Sequence, residues 1–200
     1  MRDRDLVRLY WPVELRPAFD ALFDIDEAMG DVVAKATEPA LAAIKLAWWR
    51  ERLEELDEGK LPAEPRLRAA AEQLLARGMP GKALAEIEDG WAALLEAEPD
   101  VHRVESRGAR LFALGSRLLG AADPHLEAAG RLYGCESARR RGLITSVPQH
   151  VQHRFPRALR PLTALAALAA RDAWRRGCEP EATPGRAWTL VRHRLTGRVG

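Results

Sequence analysis

Apolar residues return every three or four positions along most of this chain, and nowhere do they alternate with polar ones for long. That period belongs to amphipathic helices, so the chain reads as all-α, with Pro and Gly as punctuation. Pro12 and Pro17 open a first long helix over 13–36. Thr37 with Pro39 opens a second, stopped by Gly59. Further helices are predicted over 62–78, 80–98, 100–119, 123–142, 156–177 and 181–197, the sixth with Asp123 as its N-cap and Pro124 at its first position. The stretch between 143 and 155 reads as irregular. No repeat, low-complexity tract or linker divides the chain, and one domain over 1–200 is expected.

On a helical wheel, Phe19, Leu22, Ile25, Met29 and Val33 share one face of the first helix. Asp20, Asp24, Glu27 and Asp31 form a narrow stripe opposite, which reads as a solvated side. Asp26 breaks the pattern, because it falls inside the apolar face. A carboxylate there needs a cation, a hydrogen-bond donor or a wet cavity. The expected partner is an arginine of the 139–141 run or Lys45. On the second helix, Leu41, Ile44 and Trp48 make one ridge, and Leu46, Trp49, Leu53 and Leu56 another. At least one of the two tryptophans should lie buried between helices.

Composition narrows the function classes. The 200 residues are 47% hydrophobic, and 30% charged residues nearly cancel to +2, which gives no argument for nucleic acid. Cys135 and Cys178 have neither metal nor disulfide spacing, so a reducing cytoplasm is the expected setting. The first twelve residues lack a signal-peptide core, and the longest apolar run, 162–170, is too short to span a bilayer.

Several stretches together resemble the squalene/phytoene synthase family of all-helical head-to-head prenyl synthases. They are "RPAFDALFDIDE", "EPALAAIKLAWWRERLEELDEG", "RGARLFALGSRLLG", "AAGRLYG", "FPRALRPLTALAALAARD" and the closing "LVRHRLTGR". The resemblance implies a helical bundle of the isoprenoid synthase type in shortened form. It also implies two aspartate-rich motifs that hold Mg²⁺ against a prenyl diphosphate across a central cavity. At the first motif this chain has Gly30, Asp31 and Ala34, so one carboxylate remains. At the second, Ser137, Arg140 and Arg141 stand where acids are expected, with only Glu136 nearby. Arginine cannot ligate Mg²⁺. The pattern is similar to the non-catalytic respiratory complex I assembly factors of the superfamily. The leading expectation is a catalytically degenerate member, needing no cofactor, that binds a lipid or isoprenoid or a protein partner. The alternatives are an active Mg²⁺-dependent prenyltransferase with an atypical site and a purely structural interaction protein. The candidate cavity and motif residues are Asp26, Asp31, Lys45, Trp48, Glu136 and Arg140.

Other groupings carry less. His150 and His153 lie three apart, but no further zinc ligands are apparent in the sequence. Trp48, Trp49, Trp91 and Trp174 have core spacing, and some could line a lipid cavity. Arg139, Arg140 and Arg141 complement the end of a helix dipole, or else form an anion site in place of Mg²⁺. The segment 185–200 mixes arginines with Trp188, Leu190, Val191 and Leu195. It can pack back on the domain, the preferred reading, or touch an anionic membrane peripherally.

Overall fold

The computed structural model describes residues 2–60, 62–145, 150–175 and 178–200. It is all-helical apart from one pair of two-residue strands. The helices are α1 (Asp3–Arg8), α2 (Arg16–Ala34), α3 (Pro39–Leu56), α4 (Pro65–Gln73), α5 (Gly81–Ala85), α6 (Glu88–Ala92), α7 (Val101–Leu119), α8 (Leu126–Arg140), α9 (Arg160–Arg175) and α10 (Pro184–Thr196). The short strands β1 (His153–Arg154) and β2 (Arg198–Val199) pair antiparallel. None of the described helices is long and apolar enough to cross a membrane.

The long helices follow their patterns. Pro17 and Pro39 sit in the first turns of α2 and α3, where a missing N–H costs nothing. The Asp100 carboxylate caps α7 by accepting from the backbone N–H of His102 and Arg103, and Gly120 ends it in the left-handed conformation. On α3 the ridge of Leu46, Trp49, Leu53 and Leu56 is buried. The ridge of Leu41, Ile44 and Trp48 faces out; Trp49 is 7% exposed and Trp48 42%. One tryptophan of the pair is therefore core. Of the others, Trp91 is fully buried, whereas Trp174 is exposed and does not pack as its spacing suggested.

Asp20, Asp24 and Glu27 of the polar stripe of α2 are not left to solvent. The helix α1, which the sequence pattern did not reveal, lies along it and pairs its arginines with the acids in antiparallel order. Arg8 bonds Asp20 at 2.9 Å, Arg4 bonds Glu27 at 3.0 Å and also Asp24, and Arg2 reaches Glu27. Trp11, just beyond α1, stacks on Phe19 and Phe23 and anchors this element to the core. The predicted helix over 80–98 is broken into α5, α6 and a 3₁₀ turn over Ala93–Leu95.

Helices α7 and α8 approach more closely than side chains normally allow. A Cβ at Gly108 would lie 2.1 Å from the Gly130 carbonyl oxygen and 2.7 Å from Gly134 Cα. Backbone thus meets backbone at this crossing, and Arg107, next to Gly108, is brought within reach of α8.

At the other end, α10 packs on α9 through Leu190, Arg186 and His193. His193 Nδ1 lies 2.8 Å from the Arg198 carbonyl oxygen, so Nδ1 carries the proton. Nε2 faces the Thr163 hydroxyl at 3.0 Å. Burial lowers the His193 pKa from its ordinary 6.5 and outweighs the backbone bonds that favour the cation. The fold therefore keeps His193 neutral, while the unfolded chain takes up a proton as pH falls below about 6.5. Stability at neutral pH should be lost progressively below that point. Thermal melts between pH 7.5 and 5.5 check this: the parent should lose more than His193→Gln does, and equal losses would contradict it.

Candidate functional site

A cavity of about 500 Å³ opens where α1, α2, α8, α9 and the start of α10 converge. Phe23, Leu165, Leu168 and Ala169 give it an apolar side. Arginines 2, 4, 140, 141 and 186 stand around it, with Asp26, Asp31, Glu136 and Asp172 among the acids. Of the sequence candidates, Asp26, Asp31, Glu136 and Arg140 meet here. Lys45 does not: it lines a separate groove with Asp31, Leu41 and Trp49. Trp48 lines neither, because it sits on the outer ridge of α3.

Asp26 is 3% exposed and is paired, as its place on the apolar face requires. Its partner is neither Lys45 nor a member of the 139–141 run. Arg107 of α7 donates from Nη1 to Asp26 Oδ1 at 2.5 Å, and the Trp91 indole N–H donates to the same oxygen at 2.9 Å. Arg107 Nη2 also bonds the Gly134 carbonyl at 2.8 Å and the Ser137 hydroxyl at 2.6 Å. The guanidinium carbon sits 3.8 Å from the centre of the Trp91 ring, a desolvated cation–π contact. The two sequence anomalies answer each other. Arg107 follows Val104 and precedes Leu111 on the buried stripe of α7, just as Asp26 sits among the apolar residues of α2. That signal was present in the sequence and was missed.

The arginine run at the end of α8 divides three ways. Arg139 bonds Glu136 Oε2 from Nε at 2.9 Å and from Nη2 at 2.7 Å. Arg140 bonds Asp172 at 2.7 Å, and Arg186 bonds the other Asp172 oxygen at 2.5 Å while also holding Asp3. Among the described residues, Arg141 bonds the Ser137 carbonyl, at 3.2 Å, and makes no ion pair. It lies on the cavity wall, 5.3 Å from the Trp91 ring centre.

No family model, curated protein or solved structure matches the chain.

The carboxylates around the cavity do not fit a Mg²⁺ centre. Mg²⁺ needs several oxygens in near-octahedral array. Asp26, Asp172 and Asp31 each bond a protein cation, Asp31 through Lys35 at 2.8 Å. Among the described residues, the one buried carboxylate oxygen without a partner is Glu136 Oε1. Burial raises the Glu136 pKa, against the pull of Arg139, so its charged form is already disfavoured. Position 30 has no room either. A Cβ there would lie 2.8 Å from the Trp91 ring and 3.0 Å from Arg141 Nε. Tyr133, also on the wall, has its pKa raised by burial and by the charge of Asp26, so its hydroxyl stays protonated.

Proposed function

We propose that this protein is a catalytically degenerate relative of the squalene/phytoene synthases that binds an amphiphilic isoprenoid or similar lipid. The observation that carries the reading is Arg107 seated on Asp26, with Trp91 closing over both. A protein cation then sits one turn from Gly30 and Asp31, the motif positions at which a synthase would hold its metal. The apolar wall suits a prenyl chain, and Arg141 is the guanidinium left for an anionic headgroup.

Calorimetric titration of farnesyl diphosphate into the full chain tests this reading. Binding should be unchanged by EDTA. Arg141→Gln should weaken it about tenfold, in line with the loss of one charged hydrogen-bonding group, without lowering the melting temperature. Binding that requires Mg²⁺, or that ignores Arg141→Gln, would favour the alternative of an active transferase or a different ligand.

Two exposed faces bear on partners. Trp188, Val191 and Leu195 lie along the outer side of α10, opposite its buried residues. Arg192, Arg194 and Arg198 accompany them, and no acid follows Glu181. Such a face suits peripheral contact with an anionic membrane, from which a lipid ligand would be drawn. The outward ridge of Leu41, Ile44 and Trp48 on α3 is where a protein partner would seat.

A further inference from the structure

We propose that Asp123, His125 and His153 form a binding site for a divalent transition-metal ion of the zinc class. Apart from His150, no metal ligand lies near His153 in sequence, but the fold supplies two. The turn before α8 brings Asp123 and His125 to β1, and one ligand atom from each of the three residues lies within 4.8 Å of the others. None of the three lines the central cavity.

The geometry is partly set. His153 Nε2 lies 3.1 Å from Asp123 Oδ2, and His125 Nδ1 lies 3.6 Å from Asp123 Oδ1. Ligands of a tetrahedral ion at about 2.0–2.1 Å stand about 3.4 Å apart, so the His153 pair is already near that spacing, while His125 faces the other carboxylate oxygen. Asp123 is fixed because Oδ1 accepts the His125 backbone N–H at 2.8 Å. This bond replaces the helix cap expected of Asp123, since α8 begins at Leu126. The His153 ring is steadied by Phe155, edge-on with centroids 4.7 Å apart. Burial works against the Asp123 charge, but the bonds from His125 and His153 outweigh it and hold the carboxyl below its usual range.

The remaining step falls to His125. Its ring stacks on His153 at 3.9 Å between centroids, nearly parallel, and two parallel rings cannot both point a nitrogen at one ion. The His125 side chain is 55% exposed, so it is free to turn out of the stack. Two imidazole nitrogens and one carboxylate oxygen suit Zn²⁺, Co²⁺ or Ni²⁺, with water completing the shell. Bound there, the ion would tie the α7–α8 corner to the β1–β2 strand pair.

Titration of Zn²⁺ alone into EDTA-stripped full-length protein tests the site, with Co²⁺ absorption as a second readout. One equivalent should bind, raise the melting temperature, and give Co²⁺ visible bands. Asp123→Asn and His153→Gln should each weaken binding about tenfold or more. Because Asp123 also holds a turn, His125→Ala serves as the variant at an exposed position, and it should lose the ion while keeping the parent's helical signal. No saturable binding would overturn the proposal. So would binding that survives all three variants, which would place the ion on other side chains such as His150. Neither result touches the cavity.

Discussion

Asp26→Ala should cost the fold about 3–5 kcal/mol, because it leaves the buried Arg107 guanidinium without its counter-charge. Arg107 is fully buried and, among the described residues, pairs with no other carboxylate; its remaining hydrogen bonds go to the Gly134 carbonyl and the Ser137 hydroxyl. The Trp91 indole N–H would lose its acceptor in the same step. Asp26→Asn should cost less, since an amide oxygen still accepts from both donors while the charge is lost. The pair is not required for stability as such. A shape-matched apolar pair, Asp26→Leu with Arg107→Met, should recover much of the loss, because buried ion pairs rarely outperform good packing. Chemical denaturation of the single and double variants reads these differences. An Asp26→Ala protein within about 1 kcal/mol of the parent would contradict the account of this pair.

Gly108→Ala should also destabilise the protein severely. The new methyl carbon would collide with backbone atoms of Gly130 and Gly134, which cannot move without separating α7 from α8. Alanine's helix propensity would return about 1 kcal/mol. Overpacking against fixed backbone should exceed that, for a net loss of about 2 kcal/mol or more. The consequence reaches the site, because separating the helices pulls Arg107 from Gly134 and Ser137. A Gly108→Ala protein as stable as the parent would show that the crossing is looser than described.

Much of the helical layout was legible in sequence because each long helix carries its own stripe and its own stop signals. The second helix's buried ridge is an example, and so is the burial of Asp26, which follows from its place on the wheel alone. What the pattern could not supply was which stripe meets which. The pattern points to Lys45 or the 139–141 run as the Asp26 partner, yet the partner sits on α7, which the glycine crossing sets against α8. The helix α1 is only six residues long and has little apolar stripe to read, so the acids it covers looked solvated. The break between α5 and α6 and the two-residue strands are tertiary outcomes of the same kind. The cavity arginines were visible as a run, but their separate fates depend on Glu136, Asp172 and the open wall beside Trp91.

Pyrophosphate release from farnesyl diphosphate, measured with purified protein in saturating Mg²⁺ and again in EDTA, tests the central reading most directly. With Asp26 held by Arg107 and Asp172 by Arg140 and Arg186, no release above the protein-free rate is expected in either condition. Turnover in Mg²⁺ that disappears in EDTA would contradict it.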